Sequence, residues 1–220
     1  DWADRSTVLE DRDRSSTVTI VKLFFKGGKR AEPVSKRGLA YLTVRLMISM
    51  PDSRDVRKLM HLGSTSFVDI NEDYAVITIK SLSEHLNETL DVLTPVMKKP
   101  LFTGPRISSI KKSMASRQKS EQDDPNQLMH LEILNTLGSA TPPHDAAKRY
   151  SSPKESSQEN EVMSKKSGYA GSIYGDSRSL NAIKKKDIAD FYKKYFNAAN
   201  MIVSITTALD EIQVKRTIGK

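Results

Sequence analysis

The segment TVTIVKLFF at residues 17–25 constrains the fold of this chain more than any other part of the sequence. It is rich in β-branched and aromatic side chains and is almost continuously apolar, and Gly27 and Gly28 follow it closely. Such a run is typical of an interior strand, in which both faces are covered. We therefore expect residues 17–25 to lie inside a sheet.

Helical and strand-like patterns alternate after this segment. Apolar residues recur at helical spacing from residue 38 and stop before Pro51, and two short strand-like runs follow at residues 66–70 and 74–80. A Ser81-x-x-Glu84 capping box predicts the start of a helix with an apolar face at residues 86–97. Three more helices are expected at residues 106–122, from Asp124 to Gly138, and around an aromatic face at residues 188–196, and a last strand is expected at residues 201–207.

The composition excludes several classes of protein. The chain has 220 residues, a formal net charge of +8 and no cysteine, so disulfide frameworks, thiolate metal sites and cysteine nucleophiles are ruled out. No apolar stretch approaches the roughly 20 residues that cross a bilayer. Residues 141–167 are rich in Ser, Lys and Glu and nearly free of large apolar side chains, so we expect a loop or disordered insertion there.

Short motifs at both ends of the chain resemble the insulinase/pitrilysin family of zinc peptidases, which includes the mitochondrial processing peptidase. The opening motif is Gly28-x-x-x-Glu32-Pro33, followed by Gly38-Leu39-Ala40. The closing motifs are Gly175, Ser179-Leu180, Asp187-Ile188, Phe191-Tyr192, Tyr195-Phe196 and Asn200-Met201. The resemblance implies an α+β fold with a twisted, mostly antiparallel sheet and helices packed on one face. It also implies that residues 1–220 are one such domain, the N-terminal half of a longer two-domain chain.

The chain differs from this family at the positions of the zinc-binding motif. After Gly-Leu-Ala the family carries the zinc helix His-x-x-Glu-His, and the corresponding positions here are Tyr41, Val44 and Arg45. Zinc needs lone pairs from neutral imidazole, thiolate or carboxylate, and its bound water needs a nearby base. Arg45 has no lone pair and a permanent charge, Val44 cannot take a proton, and a tyrosine of pKa about 10 is a poor ligand at neutral pH. We expect no metal and no cofactor on this helix.

The family's third zinc ligand is a Glu on a later helix. The resemblance places this position near Arg117, within the polar helix at residues 106–122, where Glu121 is the only acid. A lone carboxylate would not hold the metal.

Two alternatives remain open at this point. A relocated metal site built from His61, His85 or His130 would make the chain an active zinc metalloendopeptidase. The basic stretch from Lys98 to Lys119 could make it an interaction module for an acidic protein, although nucleic acid is not expected because Phe102 is the only aromatic residue in that stretch.

The resemblance also implies a way of binding peptide. Members of the family add an extended peptide to a strand edge beside the metal helix, and this edge aligns with Ser66, Phe67 and Val68. The leading hypothesis is a catalytically silent domain that encloses or binds unfolded peptide and supports a zinc-bearing subunit or second domain of the same family.

Overall fold

The computed structural model of the protein describes residues 7–12, 16–139 and 171–218. Five strands are described: β1 (Thr7–Arg12), β2 (Val18–Phe25), β3 (Thr65–Ile70), β4 (Ala75–Leu82) and β5 (Met201–Thr207). The described α-helices are α1 (Leu39–Met47), α2 (Ser53–His61), α3 (Leu86–Lys98), α4 (Gly104–Asp123), α5 (Pro125–Ser139), α6 (Ser177–Ala182), α7 (Lys185–Tyr195) and α8 (Glu211–Ile218). Residues 141–167, which the sequence predicts to be an insertion, lie outside the described residues.

The strands form one mixed sheet in the order β1-β5-β2-β4-β3. The three pairings that involve β2 or β3 are antiparallel, and β1 pairs with β5 in parallel. The central position of β2 confirms the prediction of an interior strand at residues 17–25. The prediction of an α+β fold with a mostly antiparallel sheet is confirmed as well.

The helices cover the face of the sheet that carries the odd-numbered residues of β2, β4 and β5. On β2, for example, Val21 and Phe25 are buried, whereas Lys22 between them is exposed on the opposite face. Every residue of α1 except Arg45 is buried, so this helix lies at the centre of the core. At the far end of the chain, the Tyr192 hydroxyl of α7 donates a hydrogen bond to the Met97 carbonyl of α3 over 2.9 Å.

Two details differ from the sequence expectations. The predicted capping box at Ser81 is wrong, because Ser81 still belongs to β4 and its hydroxyl lies 3.0 Å from that of Thr89 and 3.1 Å from that of Ser64. The strand β1 and the helices α2, α6 and α8 were not predicted. The second half of β1 is a run of three charged residues, Glu10, Asp11 and Arg12, and this run hid its tendency to form a strand. In the described part of the chain, no helix is long and apolar enough to cross a membrane.

Candidate functional site

The N-terminal end of α1 is held by a buried carboxylate. Glu32 lies before the helix and accepts hydrogen bonds from the backbone N–H groups of Gly38, at 3.0 Å, and Ala40, at 2.7 Å. These are two of the N–H groups that a helix start leaves without partners. Burial raises the pKa of Glu32 to about 7, although the two N–H donors and the nearby cations Lys29 and Arg37 act in the opposite direction. The Glu-Pro motif therefore has a structural role, which is to cap α1.

Two glycines bring the segment before α6 against the start of α1. Gly38 has φ +90°, and a Cβ atom there would lie 2.7 Å from the carbonyl oxygen of Tyr174. Gly175 has φ +70°, and its Cβ would lie 2.2 Å from the carbonyl oxygen of Arg37. Both positions therefore combine a left-handed backbone with a backbone approach that no side chain would permit. Lys29 adds a third connection, because its Nζ donates to the carbonyl oxygen of Gly171 over 2.7 Å.

The three positions that the resemblance aligns with the zinc motif lie on α1 just after this junction. Val44 has no exposed surface, and Tyr41 is 7 % exposed. Arg45 projects from the helix into solvent. Burial raises the pKa of Tyr41 above its usual value, so its phenol is protonated at neutral pH.

The rings of Tyr41 and Tyr174 meet edge to face, with their centroids 4.9 Å apart. The guanidinium of Arg117, on α4, lies 5.9 Å from the centroid of the Tyr174 ring, at the range of a cation–π contact. Hydrogen bonding by the Tyr174 side chain raises the pKa of Arg117 further. Both Arg117 and Arg45 are close enough to Tyr41 to act electrostatically on its phenol. We call Tyr41, Arg45, Arg117 and Tyr174 the Tyr/Arg cluster.

Arg117, near which the resemblance places the family's third zinc ligand, lies on α4 within electrostatic reach of the Tyr41 phenol. The Tyr/Arg cluster combines two fixed cations with two neutral phenols. None of these groups is a metal ligand at neutral pH, and none can act there as a general base. Chemically, the cluster can donate hydrogen bonds to an anion and stabilise its charge.

The histidines of the described residues do not offer a replacement centre. His85 lies 3.2 Å from Glu88 and 3.7 Å from Glu84, whereas His61 and His130 lie on exposed surfaces of other helices. Within residues 7–12, 16–139 and 171–218, no three His, Asp or Glu side chains are grouped so that they could hold a metal ion.

The predicted peptide-binding residues lie on β3. Among the described strands this one pairs only with β4, so it forms an edge of the sheet, and α1 packs against it. Phe67 is opposite Thr78 in the register and points to the face away from the helices, where its side chain is 48 % exposed. Ser66 and Val68 point to the helical face. An exposed edge of this kind leaves every second residue with an unpaired N–H and C=O.

The basic stretch from Lys98 to Lys119 is divided between structural and surface roles. Arg106 donates to the backbone carbonyls of Ser49 and Leu101, and Lys111 donates to that of Ile183 over 2.8 Å. These contacts connect α4 to neighbouring segments, and burial lowers the pKa of both side chains. The stretch is therefore not a uniform surface for a polyanion.

Sequence reasoning missed two residues of this region. Tyr174 is one of the four residues of the Tyr/Arg cluster, and its place just before the motif residue Gly175 was the available signal. Asp69 follows the predicted peptide-binding residues on β3 and acts electrostatically on the Tyr41 phenol. No sequence signal pointed to it, because the two residues belong to separate elements, α1 and β3, which become neighbours only in the fold.

Comparisons with known proteins agree with this geometry. The family model for insulinase (peptidase family M16) matches residues 7–142. A probable mitochondrial-processing peptidase subunit beta of Arabidopsis thaliana is 19% identical over 217 residues, which are 97% of this chain and 36% of that protein.

Two solved structures share the fold. A peptidase M16 inactive domain from Pseudomonas fluorescens has a TM-score of 0.74 and 19% identity over 98% of this chain. A protease from Helicobacter pylori has a TM-score of 0.75 and 15% identity over 97% of this chain. This chain spans 47% of each of these two structures, so it corresponds to about half of their length and about a third of the curated relative.

Proposed function

The chain belongs to the insulinase family (peptidase family M16), and on that premise we propose that it is a catalytically silent member, which binds extended peptide and supports a zinc-bearing partner of the same family. The observation that carries this proposal is the substitution of the zinc helix. In place of His, Glu and His, the helix α1 has a buried phenol at Tyr41, a fully buried aliphatic side chain at Val44 and an exposed cation at Arg45. Hydrolysis requires a metal or base that these groups do not supply.

Peptide binding is proposed at β3. The exposed edge of this strand offers backbone donors and acceptors to an extended chain, and this mode depends little on side-chain identity. Ser66, Phe67 and Val68 form the middle of that edge, and the half-exposed ring of Phe67 offers an apolar contact on the open face of the sheet. The absence of His, Glu and His from α1 does not alter this backbone edge.

A partner is proposed because β3 and the adjacent helix α1 would form only one wall of a site that encloses a peptide. The relative from Arabidopsis is named as a subunit, and this chain spans about a third of it. A second domain or subunit of the same family, bearing His-x-x-Glu-His, would supply both the opposite wall and the zinc.

The peptide-binding part is tested with fluorescent extended peptides and fluorescence anisotropy. Two versions of one peptide are compared, with N-methyl groups on alternate backbone nitrogens in one register or in the other. Strand addition predicts that one register abolishes binding and the other leaves it nearly unchanged, because only every second N–H faces β3. Equal loss in both registers, or no binding of the unmodified peptide, would refute the proposed mode.

The catalytic part is tested by incubating the purified chain with unfolded protein substrates and zinc. We expect no cleavage by the chain alone. Cleavage that is abolished by a metal chelator would contradict the proposal and favour a relocated site at one of the histidines.

A further inference from the structure

The two exposed arginines of the Tyr/Arg cluster have no carboxylate partner in the described part of the chain. Two exposed arginines elsewhere do have one: Arg30 pairs with Asp73 over 2.9 Å, and Arg54 pairs with Asp52 over 2.7 Å. No ion pair within residues 7–12, 16–139 and 171–218 involves Arg45 or Arg117, and both side chains are exposed. Arg45 and Arg117 both lie within electrostatic reach of the Tyr41 phenol, so an anion bound beside that phenol would interact with both guanidinium groups.

The cluster is also more ordered than a typical basic surface. Arg117 rests on the Tyr174 ring, and that ring packs against the buried ring of Tyr41. Gly38 and Gly175 fix the backbone that carries Tyr174, as described above. A guanidinium held in this way has little side-chain entropy left to lose when it binds a planar anion such as a carboxylate.

The cluster lies next to the proposed peptide site. Asp69, in the second half of β3, is within electrostatic reach of the Tyr41 phenol, and α1 packs against β3. A peptide added along β3 would therefore pass the cluster.

From this juxtaposition we infer that the Tyr/Arg cluster is a carboxylate-binding subsite, which selects extended peptides with an Asp or Glu side chain at one position of the bound strand. This inference rests on the proposed function and names the class of peptide that the silent domain prefers. Arg45 and Arg117 bind the carboxylate, whereas Tyr41 and Tyr174 position Arg117. Residues of this kind are specificity determinants, and no bond is broken at the site.

The test uses the full chain and a series of fluorescent peptides that carry one Glu, moved residue by residue, with Gln at the same position as the uncharged control. We expect one position at which Glu binds about three- to tenfold more tightly than Gln at low salt, as for a partly exposed arginine–carboxylate pair. The preference should shrink as salt screens the charges. In each single variant, Arg45→Gln or Arg117→Gln, the preference for Glu over Gln at that position should decrease. In the double variant the preference should be absent, whereas the Gln peptide should still bind.

Lys119→Gln is the matched control. It removes one charge from the same exposed helix, but residue 119 lies about 200° around the helix from residue 117 at 100° per residue. The Glu preference should survive this change.

The outcomes separate the inference from the proposed function. Equal binding of the Glu and Gln peptides at every position, or equal loss of preference in Lys119→Gln, would overturn the carboxylate subsite and leave the strand-addition mode standing. Failure of every peptide to bind would overturn both. If single-stranded DNA displaced the Glu peptide as effectively as an unlabelled Glu peptide at the same concentration of negative charge, the surface would bind polyanions in general. This result would likewise overturn the inference.

Discussion

The start of α1 and the side chains of α1 that follow it differ in how well they match the family motif. At the start, Glu32, Gly38 and Gly175 stand where the family resemblance expects them, and each has a structural task that its residue type alone can perform. On the face, Tyr41 and Arg45 occupy positions where zinc ligands are expected. The family's opening motif thus consists of two separable parts, one that specifies the fold and one that performs the reaction.

The largest change in stability is expected for a substitution at the start of α1, where the motif residues specify the fold. Gly175→Ala places a methyl group 2.2 Å from a backbone oxygen in a left-handed conformation, so it should destabilise the protein by about 3–5 kcal/mol. Gly104→Ala is the matched control, because its Cβ would meet nothing within 4 Å, and it should change the free energy of unfolding by less than about 1 kcal/mol. Urea denaturation of both variants measures the difference. Equal stabilities would mean that the junction at α1 tolerates a side chain.

Glu32 provides the next largest effect, and it depends on pH. Burial raises its folded pKa to about 7 from 4.5, so between these values the folded state binds more protons than the unfolded state. The contribution of Glu32 to stability is therefore fully present below about pH 4.5, decreases as the pH rises to about 7, and is constant above that. The decrease amounts to about 3 kcal/mol at 1.36 kcal/mol per pKa unit.

Glu32→Gln isolates this effect from the other carboxylates. A glutamine can accept only one of the two N–H groups well, so the variant should be less stable than wild type by about 1 kcal/mol at and below pH 4.5. Because the glutamine does not titrate, wild type should lose stability relative to the variant as the pH rises to about 7, where the variant should be the more stable protein. Parallel stability curves would show that Glu32 does not titrate in this range.

The residues at the positions aligned with the zinc ligands should have little influence on stability. Arg45→Gln removes an exposed side chain and should change the free energy of unfolding by less than about 0.5 kcal/mol. Arg117→Gln loses its contact with the Tyr174 ring and should cost about 0.5–1 kcal/mol. Thermal unfolding distinguishes the two. If Arg45→Gln lowered the free energy of unfolding by more than about 2 kcal/mol, this arginine would support the fold. The motif could then not be separated into a part for the fold and a part for the reaction.

The contrast also explains what the sequence could and could not predict. Local patterns identified β2 from its nearly continuous apolar run, α1 from the helical spacing of its apolar residues, and β5 from its short apolar segment. The strand β1 was missed because half of its residues are charged. The capping box at Ser81 failed because that serine belongs to β4, where its hydroxyl lies close to those of Ser64 and Thr89.

The site was predictable only in part for a similar reason. The resemblance identified Tyr41, Val44, Arg45 and the approximate place of Arg117. Tyr174 joins them through the close approach at Gly38, and Asp69 comes within electrostatic reach of Tyr41 because α1 packs on β3. Such contacts depend on the folded backbone, so no local pattern marks them.

The central claim is that α1 cannot hold zinc, and the zinc content of the purified chain after loading and desalting tests it most directly. The triple variant Tyr41→His, Arg45→His and Arg117→Glu is the positive control, since it restores two imidazoles and one carboxylate at the aligned positions. We predict close to zero zinc ions per native chain and a clear gain in the triple variant. About one zinc per native chain, with spectroscopic signs of ligands on α1, would contradict the account.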